Sequence, residues 1–264
     1  MSNKPAIIII SGAFGTPKSY GKLATALESD GYEVHVPQIP TNSEIRPPTA
    51  GLAEDTAFIR SYVKGLVTAG RNVVAIGHSW GGQLMSNALC GLGLKARSAQ
   101  GLEGGVSALV YMAAFALPKG TSTFGKLCEF GASADDAHLL FDMAEDGTIV
   151  LRDSKHEPFL GLREPGIEES EIEAYIQTCS RWNGRAMTEP LKNEAWREIP
   201  VAYIHTTKDA AVPYAVQQSM VEAVEKAGHH VRTFTLESAH SPYFTATSGV
   251  VDAINKIILS DGPA

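Results

Sequence analysis

The chain has 264 residues, 44% of them apolar, and a formal net charge of -7. That length suits one α/β domain with a sizeable core, burying roughly 70–75% of the surface its unfolded chain would expose. The acidity is mild and spread along the chain with no basic stripe, which argues against nucleic acid as a partner. No apolar run reaches the roughly 18 residues that a membrane-spanning helix needs.

Lys4 followed by AIIIISGAF imitates a short secretory leader. Ser11-Gly12 breaks the run where a loop should begin, so residues 6–10 read as a buried first strand. A helix is expected over 19–29, closed by Asp30-Gly31, then a second strand at 33–36, stopped by Pro37. His35 in that strand reads as a core histidine. Residues 52–69 form an amphipathic helix with Gly70 just past its end, a stop signal. A third strand at 72–76, a helix at 83–92 and a fourth strand at 106–112 follow. After a gap come a fifth strand at 201–205, a helix at 213–227, a sixth strand at 230–236 and a last helix at 247–259. Strands alternating with helices predict an α/β fold with a parallel sheet. Continuous apolar runs such as IIII, lacking the alternation of a half-exposed strand, predict that helices cover both faces.

Residues 118–198 break this rhythm. They are richer in charge and carry short helical patterns, such as 167–179. A structureless connection of that length is suspect in a compact domain. The expectation is a helical cap, residues 118–198, inserted at the carboxyl end of a core formed by residues 1–117 and 199–264. His138 and His156 lie in the cap among charged neighbours and read as surface residues.

The chemistry concentrates at Gly77-His78-Ser79-Trp80-Gly81, a G-x-S-x-G sequence directly after the strand NVVAI and directly before a helix. That strand–turn–helix context gives the motif its specificity. A nucleophile on such a turn sits in a strained conformation, and small residues at 77 and 81 let strand and helix approach. A serine hydroxyl needs a base to take its proton. Of the histidines after the fifth strand, His229 and His230 begin the sixth strand, the wrong end of a parallel sheet for ligands. They read as a solvated turn. His240, just after Leu236, lies at the right end and is the expected base. Asp209, just beyond the fifth strand, is the expected acid that holds the imidazole tautomer. The segment MAAFALP after the fourth strand offers no acid, and Glu237 reads as solvated.

Acyl transfer also needs aimed N–H groups for the tetrahedral oxyanion. Trp80, the residue after the nucleophile, is one expected donor. The loop Ser11-Gly12-Ala13-Phe14-Gly15 supplies the other, through Ala13 or Phe14, with Ala13 preferred. Phe14, Trp80, Phe115, Phe124, Trp182 and Tyr243 are expected apolar walls of a substrate pocket between rim and cap. Cys90, Cys128 and Cys179 match no zinc or CxxC spacing and read as core residues. Their odd number fits a reducing, cytoplasmic setting. No cluster points to a metal, and no cofactor is expected.

Taken together, IIIISGAF, VVAIGHSWGG, HTTKDAAVP and ESAHSPYF, in that order, resemble the α/β-hydrolase superfamily. Within it the chain resembles the plant methyl esterase and hydroxynitrile lyase group and related small hydrolases of fungi and bacteria. The resemblance implies a six-stranded, mainly parallel sheet flanked by helices with a helical cap. It implies Ser79, Asp209 and His240 as a triad, and the Ala13 and Trp80 amides as oxyanion hole. Two positions depart. The group usually has His-Gly where this chain has Ser11-Gly12, and the hydroxynitrile lyases carry a lysine where this chain has Ser241. Ser241 argues against cyanide chemistry.

The expected function is a serine hydrolase cleaving a small, largely apolar ester or lactone through an acyl-enzyme on Ser79. Alternatives are a thioesterase or C–C bond hydrolase with the same triad, a hydroxynitrile-lyase-like lyase, or a non-catalytic small-ligand receptor on this fold. The oligomeric state is open, a homodimer included.

Overall fold

The computed structural model describes residues 4–152 and 159–260. Six strands form the main sheet: β1 (Ala6–Ile10), β2 (Glu33–His35), β3 (Asn72–His78), β4 (Gly105–Met112), β8 (Val201–Thr206) and β9 (Val231–Leu236). Their order is β2-β1-β3-β4-β8-β9, and every neighbouring pair is parallel. The pattern of side chains follows from position. β1, inside the sheet, is buried at every residue, whereas β9, at the edge, alternates between covered and open positions. Central strands of a parallel sheet have helices on both faces and cannot carry polar residues on one of them. His35, on the short edge strand β2, is only half-buried and sits between the Tyr62 hydroxyl and the Glu33 carboxylate. It is therefore an edge residue, not the core histidine that its strand suggested.

From β1 the chain runs outward to β2 on one side, then returns to place β3 on the other. That reversal leaves a crevice beyond the carboxyl ends of β1 and β3, the usual ligand position in an open α/β sheet. The helix Trp80–Ala88 starts directly after Ser79, three residues earlier than the sequence pattern indicated. Among the described residues, no helix is long and apolar enough to cross a membrane.

Described residues of the segment 118–198 line this crevice. They contain helices Thr123–Cys128, Ala134–Leu140 and Glu169–Ile176, the last inside the helical pattern at 167–179, and also a small antiparallel sheet. Its strands are β5 (Phe141–Met143), β6 (Thr148–Leu151) and β7 (Trp182–Asn183), in that order. Strands of two to four residues are too short for period-two alternation to show. They exist because Trp182 is wedged edge-on against Trp80 and Phe14, with ring centroids 5.4 and 5.9 Å away. Two side chains one turn apart on the helix after Ser79 tie this layer down. Gln83 accepts from the Thr123 N–H and hydroxyl and donates to the Glu189 carbonyl. Asn87 accepts from the Lys192 and Asn193 N–H groups.

Candidate active site

Ser79 follows β3 with φ of 53° and ψ of -126°. A non-glycine residue there is strained, and such strain gathers at functional sites. The glycines two residues to either side have no room for side chains. A Cβ on Gly81 would lie 2.3 Å from the Ile10 carbonyl oxygen, and one on Gly77 would lie 2.9 Å from that of Gly81. Glycine is thus required on both sides of the serine by close backbone approach. Phe14 and Ala113 also have positive φ, 66° and 48°, and follow β1 and β4. All three strained residues line the same rim.

The His240 ring lies between Ser79 and Asp209. Its Nδ1 is 2.9 Å from Asp209 Oδ2, and its Nε2 is 3.0 Å from Ser79 Oγ. An ionised carboxylate only accepts, so Nδ1 carries the hydrogen and Nε2 presents its lone pair to the serine hydroxyl. The Asp209 carboxylate is surrounded by donors. Oδ1 accepts from the Ala211 and Val212 N–H groups at 2.9 and 2.8 Å. Oδ2 accepts from Thr206 Oγ1 at 2.9 Å and Gln217 Nε2 at 3.4 Å, besides His240. His240 and Asp209 are both buried, whereas Ser79 is open to the cavity. The geometry can pass a proton from the serine to an imidazole whose charge the aspartate balances. Glu237 stands exposed beside Lys208, 3.2 Å away, and takes no part.

In the loop after β1, the Phe14 N–H donates to Asn42 Oδ1 at 3.0 Å. That bond commits the Phe14 amide and leaves Ala13 as the loop amide at the cavity wall. Asn42 is a residue that the sequence pattern did not single out. Its Nδ2 donates to the Gly12 and Gly15 carbonyls, at 2.9 and 2.7 Å, so one buried amide fixes the whole loop. Asn42 is held in turn by its neighbour. The Thr41 N–H donates to Asp55 Oδ1 at 2.9 Å, the Thr41 hydroxyl donates to Asp55 Oδ2, and Trp182 Nε1 donates to Thr41 Oγ1. The only sequence signal for this clamp is a polar Thr41-Asn42 pair after Pro40, which reads as an ordinary turn.

Asp55 has no solvent exposure, and burial pushes its carboxyl up to about 7. The unfolded chain would titrate it near 4, so between roughly 4 and 7 the folded state binds more protons. Asp55 therefore contributes stability below the unfolded value that is lost as pH rises through about 7. Melting followed from roughly pH 5 to pH 8 should show a fall of several degrees, which Asp55→Asn should flatten. An unchanged slope in that variant would remove Asp55 as its cause.

The cavity in front of Ser79 has a volume of about 220 Å³. All the expected wall residues line it: Phe14, Trp80, Phe115, Phe124, Trp182 and Tyr243. The cap adds Phe130, Phe141, Phe159 and Leu160, which the sequence reading did not assign. Its described lining contains no Asp, Glu, Lys or Arg. Cys179 is in the wall, but burial pushes its thiol up to about 12, so it does not compete as a nucleophile. Cys90 is partly buried and Cys128 exposed, so Cys128 is not the core residue expected. His138 is exposed, His230 is exposed, and His229 is half-buried against Trp196. His156 lies outside the described residues.

Comparison with known proteins agrees with this architecture. An α/β-hydrolase from Aspergillus novofumigatus, nvfD, is 31% identical over 253 residues, covering 95% of each chain. A pyrethroid hydrolase from Sphingobium wenxiniae is 27% identical, over 98% of this chain and 88% of its own. Among solved structures, a pyrethroid hydrolase from Sphingobium faniae superposes with a TM-score of 0.72 at 22% identity, covering 98% of both chains. The methylesterase MES16 from Arabidopsis gives 0.72 at 19%, covering 96% of this chain and 98% of its own. At such identities the structural likeness speaks for the fold. The alpha/beta hydrolase family pattern matches residues 7–253, and the chain belongs to that family.

Proposed function

We propose that this chain is a serine hydrolase that cleaves small, neutral, largely apolar esters or lactones through an acyl-enzyme on Ser79. The observation that carries the reading is the unbroken run Ser79 Oγ, His240, Asp209 opening into a cavity whose described lining holds no Asp, Glu, Lys or Arg. His240 takes the Ser79 proton as the hydroxyl attacks the carbonyl, and Asp209 balances the imidazolium. The Ala13 and Trp80 amides receive the oxyanion. His240 then returns the proton to the leaving alcohol, and water repeats the sequence on the acyl-enzyme. Membership of a hydrolase family, with relatives described as pyrethroid hydrolase and methylesterase, supports ester cleavage. The three unpaired cysteines support a reducing, cytoplasmic setting.

Labelling with a fluorophosphonate probe tests the serine. The parent should label stoichiometrically, and Ser79→Ala and His240→Ala should not. Retained labelling in Ser79→Ala, or no labelling of a folded parent, would overturn the assignment. The cavity makes a second expectation. With no cation in its described lining, a carboxylate on the substrate has no partner and must lose its hydration. p-Nitrophenyl butyrate should therefore exceed mono-p-nitrophenyl succinate in kcat/KM by about 100-fold or more, the equivalent of an unpaired charge costing a few kcal/mol. Equal values would mean that the acyl group does not enter this cavity.

A further inference from the structure

Three segments meet at this site: the loop after β1, the turn at Ser79 and the loop carrying His240. One hydrogen-bonded chain joins all three. The Gly12 N–H lies 2.9 Å from Tyr20 Oη, Tyr20 Oη lies 2.8 Å from His78 Nδ1, and His78 Nε2 lies 2.8 Å from the His240 carbonyl oxygen. Each bond has only one possible direction in a neutral ring. A carbonyl only accepts, so His78 Nε2 carries the hydrogen. Nδ1 must then accept, so Tyr20 donates to it and receives the Gly12 N–H on its oxygen. Both side chains are buried, with Tyr20 stacked on Tyr243 at 4.3 Å and the His78 ring 4.7 Å from that of His240. Burial, and after it the nearby His240, holds the His78 imidazole well below its usual range and thus neutral. A charged His78 would donate from Nδ1 as well, so Tyr20 could no longer donate to it.

The joined atoms stand next to the reacting groups. Gly12 precedes Ala13, His78 precedes Ser79, and the last acceptor is the backbone of His240 itself. The loop and turn are also in close approach, since a Cβ on Gly12 would lie 2.9 Å from that of Ser79. We propose that Tyr20 and His78 are positioning residues whose hydrogen-bonded chain sets the oxyanion loop and the base relative to the nucleophile. The proposal rests on the serine-hydrolase reading above. Neither residue touches the reacting bond. Their effect is to fix the distance between donor and base along one polar chain; Tyr20 lies outside the cavity lining, whereas His78 is also one of its wall residues.

The experiment compares the parent, Ser79→Ala, Tyr20→Phe, His78→Asn and the Tyr20→Phe/His78→Asn double variant on p-nitrophenyl butyrate. Tyr20→Phe keeps the stacked ring and removes only the hydroxyl. It should lower kcat by about 10- to 100-fold, the cost of small misplacements of reacting groups, with KM within about twofold of the parent by the same argument. Fluorophosphonate labelling should slow in proportion, since it uses the base and oxyanion donors but little of the cavity. The double variant should be no slower than the slower single one, because one chain broken twice is still one broken chain. Parental kcat in Tyr20→Phe, or losses that multiply in the double variant, would overturn the proposal. If Tyr20→Phe does not fold, the falls in kcat and in labelling rate are read in His78→Asn, where parental values of both would overturn the proposal. Turnover persisting in Ser79→Ala would instead refute the serine-hydrolase reading on which the proposal stands.

Discussion

Replacing Ser79 with alanine is expected to lower turnover of p-nitrophenyl butyrate by about 10⁴-fold or more, leaving only what oxyanion donors and binding supply. The fold should survive. Alanine keeps the Cβ against which Gly12 packs, and among the described residues Ser79 Oγ is hydrogen-bonded to His240 alone. The melting temperature should stay within a few degrees of the parent. A steady-state assay beside a thermal melt checks both parts, and parental turnover in the variant would show that another group attacks the ester.

Asp209→Asn should fail differently. Five donors face the carboxylate, two at Oδ1 and three at Oδ2. An asparagine amide must point its NH₂ at one of these sets. Turned to the Oδ1 side, it opposes two backbone N–H groups that cannot rotate. Turned to the Oδ2 side, it forces His240 into the other tautomer, with Nε2–H facing Ser79 and no lone pair to take the proton. Turnover should fall by about 10⁴-fold, the effect expected of a wrong tautomer. Unlike Ser79→Ala, this variant should also melt lower, because each buried donor left unpaired costs about 1–3 kcal/mol. Full turnover in Asp209→Asn would mean that some other group orients the imidazole.

The contrast between these two variants reflects what each residue is attached to. Ser79 needs only its turn, which Gly77, Gly81 and the strand before it encode locally. Asp209 depends on Gln217, on the helix after β8, whose amide also bonds Thr206 and Val212. An aspartate before a proline is readable, but its full set of donors is not, because Gln217 and His240 reach it only through the fold.

The sequence by itself determined the strand–helix alternation, the apolar character of the central strands and the placement of Ser79, Asp209 and His240 at strand ends. These are local properties. A run such as IIII admits little but a buried strand, and a serine between small residues after a strand admits few turns. The tertiary structure alone decided three other features. The short sheet β5-β6-β7 exists because Trp182 finds Trp80 and Phe14, not because two to four residues prefer extended backbone. Asn42 fixes the loop of Ala13 because Asp55, from a later helix, holds the preceding residue. Tyr20 and His78 matter because Gly12 and His240, at opposite ends of the chain, come within hydrogen-bonding reach of them. In each case the partners are distant in sequence, and buried polar groups acquire meaning only from the partner that removal from water obliges them to find.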